Sequence, residues 1–321
     1  MSTIPTTLSA ASVPYTVVGG GAGRPGPDSP PVSVVLLGRG ARLYRGEVFS
    51  DLEKAGFSSV ISVEEGGESL DVESLAGRYP GVRFLLLSGP ASPGEKVNLG
   101  MRESSAPRVL VLWSDTRLAT QAISSRFYER LAEQDILCQA PLASGRGGEP
   151  LPVAAAPALH RASLKVLGLV PVKDGTRSLF PFDYCGIYSR ERFLLTGGFD
   201  PSLANPYWQR LDFGFRAWLW GEEIRVAQAL RLAYDGDPPE EDQSPDASYK
   251  WFWLKNLAPR FGGDSASLPA GRFWAYLRSR RGGPLAALAE FRAARVWVAI
   301  NRFRFRCDAA SLVDLWEESA R

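Results

Sequence analysis

The chain has 321 residues, 45% of them hydrophobic and 22% charged, which is ample material for one large domain with appendages. With 37 Lys and Arg against 35 Asp and Glu, the formal charge of +2 is too small to imply nucleic acid as a partner, and a single histidine, His160, excludes a histidine-rich metal centre. Cys138, Cys185 and Cys307, few, odd in number and far apart, suggest neither a disulfide framework nor a zinc site; no run reaches the roughly 20 apolar residues of a membrane span and no secretory signal opens the chain, so a soluble cytoplasmic protein is expected.

Residues 1–31, rich in Ser, Thr, Pro and Gly, read as a flexible lead. Within them TVVGGGAG imitates the glycine turn of a dinucleotide-binding fold, but the prolines of RPGPDSPP rule out the helix that must follow. From Val32 short apolar runs alternate with amphipathic segments, the pattern of an α/β sheet. VSVVLL (32–37) predicts the first strand, GEVFSDLEKAG (46–56) a helix stopped by Gly56, and SSVISV (58–63) the second strand. RFLLL (83–87) and RVLVLW (108–113) are the third and fourth. Ala119, Ile123, Phe127 and Leu131 recur every four residues and predict a helix with one buried stripe. Residues 139–180, rich in Pro, Gly and Ala, read as a connection shaping one side of a site, and DGDPPEEDQSPD (235–246) as an acidic loop.

Three segments carry more specific signals. VISVEEGG sets Glu64 and Glu65 at the end of the second strand. GEKVNLGMRESSAPRVLVLWSD places Asn98 and Gly100 on a helix leading into a strand that ends Trp113-Ser114-Asp115. FPFDYCGIYSRERFLLTGGFDPSLANPYWQRLDFGFRAWLWGEEI holds Gly197-Gly198-Phe199-Asp200, then Asp212, Arg216 and Gly221. In order and spacing, from about Val32 to Phe261, these segments resemble family-two glycosyltransferases of the GT-A fold, with divergence at the metal and catalytic-base motifs.

The resemblance implies a mixed, mostly parallel sheet flanked by helices, binding a nucleoside-diphosphate sugar at the C-terminal ends of the first, second and fourth strands. Glu64 and Glu65 stand where the family has two aspartates near the base, although two solvated loop glutamates are the alternative. Asn98, Ser114 and Asp115 belong to the donor side. The family's first metal acid is replaced by Trp113, leaving Asp115, with Asp235 or Asp237 as a stand-in for a later ligand, to hold Mn2+ or Mg2+ through oxygen; helix capping is the other role open to Asp115. Gln209 and Arg210 occupy the positions of the family's base pair of acids, and neither removes a proton at neutral pH. Asp212 or Asp200 is left to take that role, unless Asp212 only caps a helix beginning near Phe213. Gly198 and Trp208 face the acceptor, or Trp208 is core. Lys255, in YKWFWLKN, meets the diphosphate.

Between Arg272 and Arg306 nine arginines interleave with aromatics against one acid, Glu290. Amphipathic helices packed on the domain with arginine stems over apolar surface are the first reading, and contact with an anionic membrane face or a partner is the second. The expected organisation is a lead (1–31), a glycosyltransferase-like domain (32–265) and a basic aromatic helical segment (266–321). The expected function is inverting sugar transfer to a glycan, lipid or protein acceptor, without nucleic acid, in the cytoplasm or at the inner membrane face. The rival is a glycosyltransferase-like binding module without catalysis.

Overall fold

The computed structural model describes residues 13–20, 31–39, 45–65, 72–118, 128–129, 133–160, 163–278 and 283–318. The helix expected from the Ala119 to Leu131 stripe lies outside the described residues. No described helix is long and apolar enough to cross a membrane.

The core of the fold is a sheet laid down in the expected order. β1 is Tyr15–Gly19, β2 Val32–Leu37, β3 Ser59–Glu65, β4 Val82–Leu87, β5 Arg108–Trp113 and β6 Thr116–Leu118; β7 is Cys138–Ser144, β10 Gly186–Ser189 and β11 Ile224–Tyr234. Their order across the sheet is β1-β4-β3-β2-β5-β10-β7-β11-β6. β4, β3, β2 and β5 run parallel, as do β7 and β11, while β10 lies antiparallel between β5 and β7. All six residues of β2 are buried, which is why its sequence is apolar throughout instead of alternating. The one polar residue inside it, Ser33, exchanges a 2.7 Å hydrogen bond with the Ser59 hydroxyl on the neighbouring strand.

Helices α1 (Arg45–Lys54), α2 (Val72–Arg78) and α3 (Pro93–Glu103) connect these strands. The start of α3 is written in SPGE: the Ser92 hydroxyl accepts from the Glu95 amide, the Glu95 carboxylate accepts from the Ser92 amide, and Pro93 opens the first turn. Gly100 lets α3 lie directly on β2, because a Cβ there would come 2.5 Å from Val35. α4 (Arg190–Thr196) ends at Gly197 in the left-handed conformation, and α5 (Pro206–Leu219) follows, capped by Asn205.

Three expectations need correction. Tyr15–Gly19 is not part of a flexible lead: it adds an antiparallel edge strand to β4. Residues 139–180 are not a featureless connection, since they contain β7 and a hairpin of β8 (Ala154–His160) and β9 (Ser163–Leu169). The helix expected to begin near Phe213 begins at Pro206, so Asp212 sits in its middle and caps nothing.

Beyond β11, residues 235–246 carry no strand or helix, as expected of an acidic loop. α6 (Ala247–Phe252) runs into a π-helical turn at Trp253–Leu257; a two-stranded ribbon, β12 (Arg260–Gly262) and β13 (Ser265–Ser267), precedes α7 (Arg272–Arg278), α8 (Pro284–Asn301) and α9 (Ala309–Glu318). These last helices pack through Phe291, Trp297 and Trp316 into an apolar cluster shared with Trp218 and Trp220 of the α5 region.

Candidate active site

Parallel strands β2, β3, β5 and β11 all deliver their C-terminal ends to one edge, and the antiparallel β10 delivers its N-terminal approach there. An open α/β sheet presents its ligand crevice at such an edge. Arg39, two residues past β2, is the centre of what gathers there. Its two terminal nitrogens each donate to Asp183 at 2.7 Å, and one lies 3.7 Å from the Asp115 carboxylate. The guanidinium carbon stacks 3.7 Å from the Trp113 ring centroid. The Arg39 amide donates to the Ser114 hydroxyl, which in turn donates to the Arg39 carbonyl. Burial works against the charge on Arg39, yet the adjoining Asp183 outweighs it and raises the pKa.

Asp183 is held from every side. The indole N–H of Trp113 donates to its carbonyl at 2.8 Å and the Tyr234 hydroxyl to its carboxylate at 2.8 Å. It and Tyr184 have φ of 49° and 62°, a conformation that non-glycine residues rarely adopt. This edge therefore stores backbone strain while aiming a carboxylate at Arg39. Sequence reasoning missed Arg39, Asp183 and Tyr234. The usable signal was position: Gly38-Arg39 follows a buried strand directly, where a charged residue reaches the crevice.

Asp115 and Asp235 lie on the same edge, joined by a 2.9 Å hydrogen bond from the Asp235 amide to the Asp115 carbonyl. Each has one buried carboxylate oxygen with no hydrogen-bond donor, Oδ1 of Asp115 and Oδ2 of Asp235. The other Asp235 oxygen accepts from Arg117, which also donates to Glu47. Burial pushes the Asp115 pKa up, Arg39 partly offsets this, and the charges of Asp183 and Asp235 add to the rise. Two orphaned carboxylate oxygens fit a divalent cation that takes its remaining ligands from phosphate and water. Among the described residues no cluster of three His, Cys, Asp or Glu side chains is placed to hold a metal alone.

At the end of β3, Glu64 is buried and accepts from the Ser62 hydroxyl at 2.7 Å, while Glu65 is exposed and ion-paired to Lys96 of α3 at 2.6 Å. Asn98 faces inward: its amide nitrogen donates to the Phe199 carbonyl and its oxygen accepts from the Phe199 amide. It clamps the Gly197-Gly198-Phe199-Asp200 turn instead of reaching a nucleotide. In that turn both glycines have positive φ, and the Gly198 carbonyl accepts from Arg216.

The expected bases form a buried charge network. Asp212 is 0% exposed, and its oxygens accept from Arg216, Lys255 and Asn256. Lys255, also 0% exposed, donates to Asp200 at 2.7 Å as well. Asp200 further accepts from Ser202 and from the indole of Trp251. Burial alone would raise the Asp200 pKa; the Lys255 charge and the hydrogen bonds from Lys255 and Ser202 outweigh it and hold the carboxyl far below the usual range. Asp212 and Lys255 therefore reach no substrate in this conformation, and Asp200 is a weak base. Trp208 is core: it is buried against Tyr249 and Phe252, and its N–H donates to the Ser244 carbonyl.

Gln209 and Arg210, at the positions of the family's acids, are structural. The Gln209 oxygen accepts from the Gly94 amide and the Tyr184 hydroxyl, and its nitrogen donates to Ser92 and to the Asp200 carbonyl. Arg210 is buried and pairs at 2.9 Å with Glu241 of the acidic loop. That carboxylate, arriving from a segment the sequence marks only as acidic, was also missed.

No family model matches the chain, and no curated protein matches it in sequence. Solved structures are similar to it. GalNAc-T7, crystallised with UDP, GalNAc and Mn2+, is 12% identical with a TM-score of 0.56, and the match covers 91% of this chain and 57% of that one. TarS 1–349 of S. aureus with UDP-GlcNAc is 13% identical, with a TM-score of 0.49 over 70% and 64% of the two chains. The mannosyltransferase PcManGT of Pyrobaculum calidifontis, with GDP-Man and Mn2+, is 11% identical, with a TM-score of 0.47 over 98% and 84%. The chain thus spans little more than half the length of GalNAc-T7, and the fold is of the GT-A type.

Proposed function

We propose that this chain is a glycosyltransferase that binds a nucleoside-diphosphate sugar across the C-terminal ends of β2, β3 and β5. The observation that carries the reading is the edge built by Arg39, Asp115, Asp183 and Asp235 on this fold: a guanidinium stacked on Trp113 beside two carboxylates with unpartnered buried oxygens. An unsatisfied buried acceptor costs about 1–3 kcal/mol, which a ligand arriving with its cation relieves. GalNAc-T7, which shares the fold, was crystallised with UDP, GalNAc and Mn2+, and this supports the assignment.

Glu64 and Glu65 stand at the base end of the site, with Lys96 orienting Glu65. Asp115 and Asp235 would hold Mn2+ or Mg2+, which would supply positive charge to neutralise the diphosphate. Arg39 adds a fixed positive charge at the same edge, where the family's first acid has become Trp113; its bidentate grip on Asp183 keeps it in place without reorganisation. Asn98 and Gly198 shape the acceptor-side turn, and Asp200, Asp212 and Lys255 hold that turn against α5 and the π-helical turn. An acceptor hydroxyl attacks the anomeric carbon opposite the diphosphate, the C–O bond to the diphosphate breaks, and the configuration inverts. We assign the hydroxyl proton to Glu241, the carboxylate ion-paired with Arg210, a residue that the resemblance aligns with one of the family's two acids. Inversion rests on the family resemblance. The non-catalytic alternative draws its support from the saturation of Asp200 and Asp212.

Calorimetric titration with UDP- and GDP-sugars, with Mn2+ or chelator, tests this. Metal-dependent binding should fall at least about tenfold in Asp115→Asn and in Asp235→Asn, because each removes one charge from the cation site. Glu241→Gln should bind donor normally yet lose turnover by roughly a hundredfold. Absence of any nucleotide binding sinks the reading, and binding without turnover in the parent chain supports the module instead.

A further inference from the structure

α8 buries one face and leaves apolar side chains on the other. Ala287, Phe291, Ala294, Trp297, Val298 and Asn301 point into the protein. On the opposite side Leu285, Arg292, Val296 and Ile300, with Phe303 just past the helix end, recur every three or four residues or multiples of that, one stripe at 3.6 residues per turn. Leu285 is 82% exposed, Val296 59%, Ile300 61% and Phe303 64%. The core does not need these side chains, and a run of them on one face marks an interaction surface.

Charge selects the occupant. Arg292 lies within the stripe, Arg295 and Arg302 flank it, and the Arg302 guanidinium lies 4.4 Å from the Phe303 ring centroid. The one carboxylate between residues 284 and 306, Glu290, accepts a hydrogen bond from the Tyr276 hydroxyl on α7. A second copy of the chain would set arginines against arginines with no countercharge. A stripe of exposed apolar tips accompanied by arginines matches the headgroup boundary of a bilayer: side chains insert a few ångströms while guanidinium groups meet lipid phosphates.

We infer that the solvent face of α8 docks the protein flat on an anionic lipid surface. This is independent of the sugar-transfer reading and stands or falls without it.

The full chain is sedimented with phosphatidylcholine vesicles, with and without phosphatidylglycerol as about one lipid in three. Binding is expected only to the anionic vesicles and should weaken at high salt. Arg292→Glu with Arg295→Glu should weaken it by roughly tenfold or more, at about 1 kcal/mol per basic residue. Val296→Asp should also release the protein; both variants change exposed positions, and circular dichroism confirms their folding. No binding to anionic vesicles, or equal binding of the variants, overturns the inference. So does a dimer in light scattering that Val296→Asp dissociates, which assigns the face to a second copy. Displacement by soluble polyglutamate with no effect of Val296→Asp overturns it too, in favour of an acidic protein.

Discussion

Asp212, Arg216, Lys255, Asp200 and Asn256 illustrate how a site read from sequence turns inward. The charged ones suit catalysis or phosphate binding, yet here they neutralise one another inside the protein, with Asn256 donating a hydrogen bond to Asp212. Buried charges of this kind are costly to separate. Lys255→Met leaves two buried carboxylates short of a partner and should destabilise the fold by about 3–5 kcal/mol in urea titration, whereas a surface lysine removed in the same way costs under about 1 kcal/mol. The network also sets an acid limit. The Asp200 carboxyl is held far below its ordinary range, so its contribution is complete above the unfolded value of about 3.9 and is lost as pH falls through that value toward the folded one. Parent stability should therefore drop steeply below about pH 4, and Asp200→Asn, which cannot titrate, should show a shallower slope there. Equal slopes would remove Asp200 from this account.

At the scale of elements, legibility followed burial pattern. VSVVLL and RVLVLW are central parallel strands with apolar runs, and Ser114 and Asp115 follow directly on the C-terminal end of the second. CQAPLAS is equally central as β7, but small residues and a proline in a strand hide it, because neither alternation nor β-branched enrichment survives when neighbours on both sides press close. YTVVG is an edge strand next to a glycine run, and its glycines drew the reading away from its pairing with β4. The inward turn of Asn98 and Lys255 was unreadable for a different reason: it depends on which face of α3 and of the π-helical turn meets Phe199 and Asp212, a tertiary fact. Glycines mark such contacts. A Cβ on Gly214 of α5 would overlap the Leu179 carbonyl and lie 2.9 Å from Phe180, whereas one on Gly77 of α2 meets nothing within 4 Å. Alanine gains up to about 1 kcal/mol of helix propensity at either position, and overpacking against backbone costs about 1–3 kcal/mol at the first. Thermal denaturation should show Gly214→Ala destabilised and Gly77→Ala stabilised; a stable Gly214→Ala would mean that α5 is not seated on the 179–180 segment.

The whole molecule joins two cores that the sequence suggested separating at residue 265. The first surrounds the sheet, and the second gathers around α5 and is closed by the C-terminal helices. Trp297 stacks on Trp220 at 6.0 Å, Trp316 meets Trp218 at 4.8 Å, and Lys255, the cation of the buried network, lies 4.9 Å from the Trp297 ring. The basic segment is thus both an outer surface and the cover over the charge network beneath the 197–200 turn. Tyr276, Phe291, Trp297, Phe305, Leu312 and Trp316 are all buried from this segment. At about 1.5–3 kcal/mol for each large side chain, their burial contributes on the order of 10 kcal/mol, comparable to the 5–15 kcal/mol that holds a typical protein together. A chain ending at residue 265 also bares Trp218, Trp220 and the charges of Lys255 and Asp212. It should therefore aggregate or exchange its α5 amides as an unfolded chain does, even though every residue assigned to the donor edge is still present. Hydrogen exchange on the truncated and full-length chains decides the matter: protected α5 amides and cooperative unfolding in the truncated form would show that the C-terminal helices are an appendage, and their loss would show that the exposed face of α8 and the proposed donor edge share one folding unit.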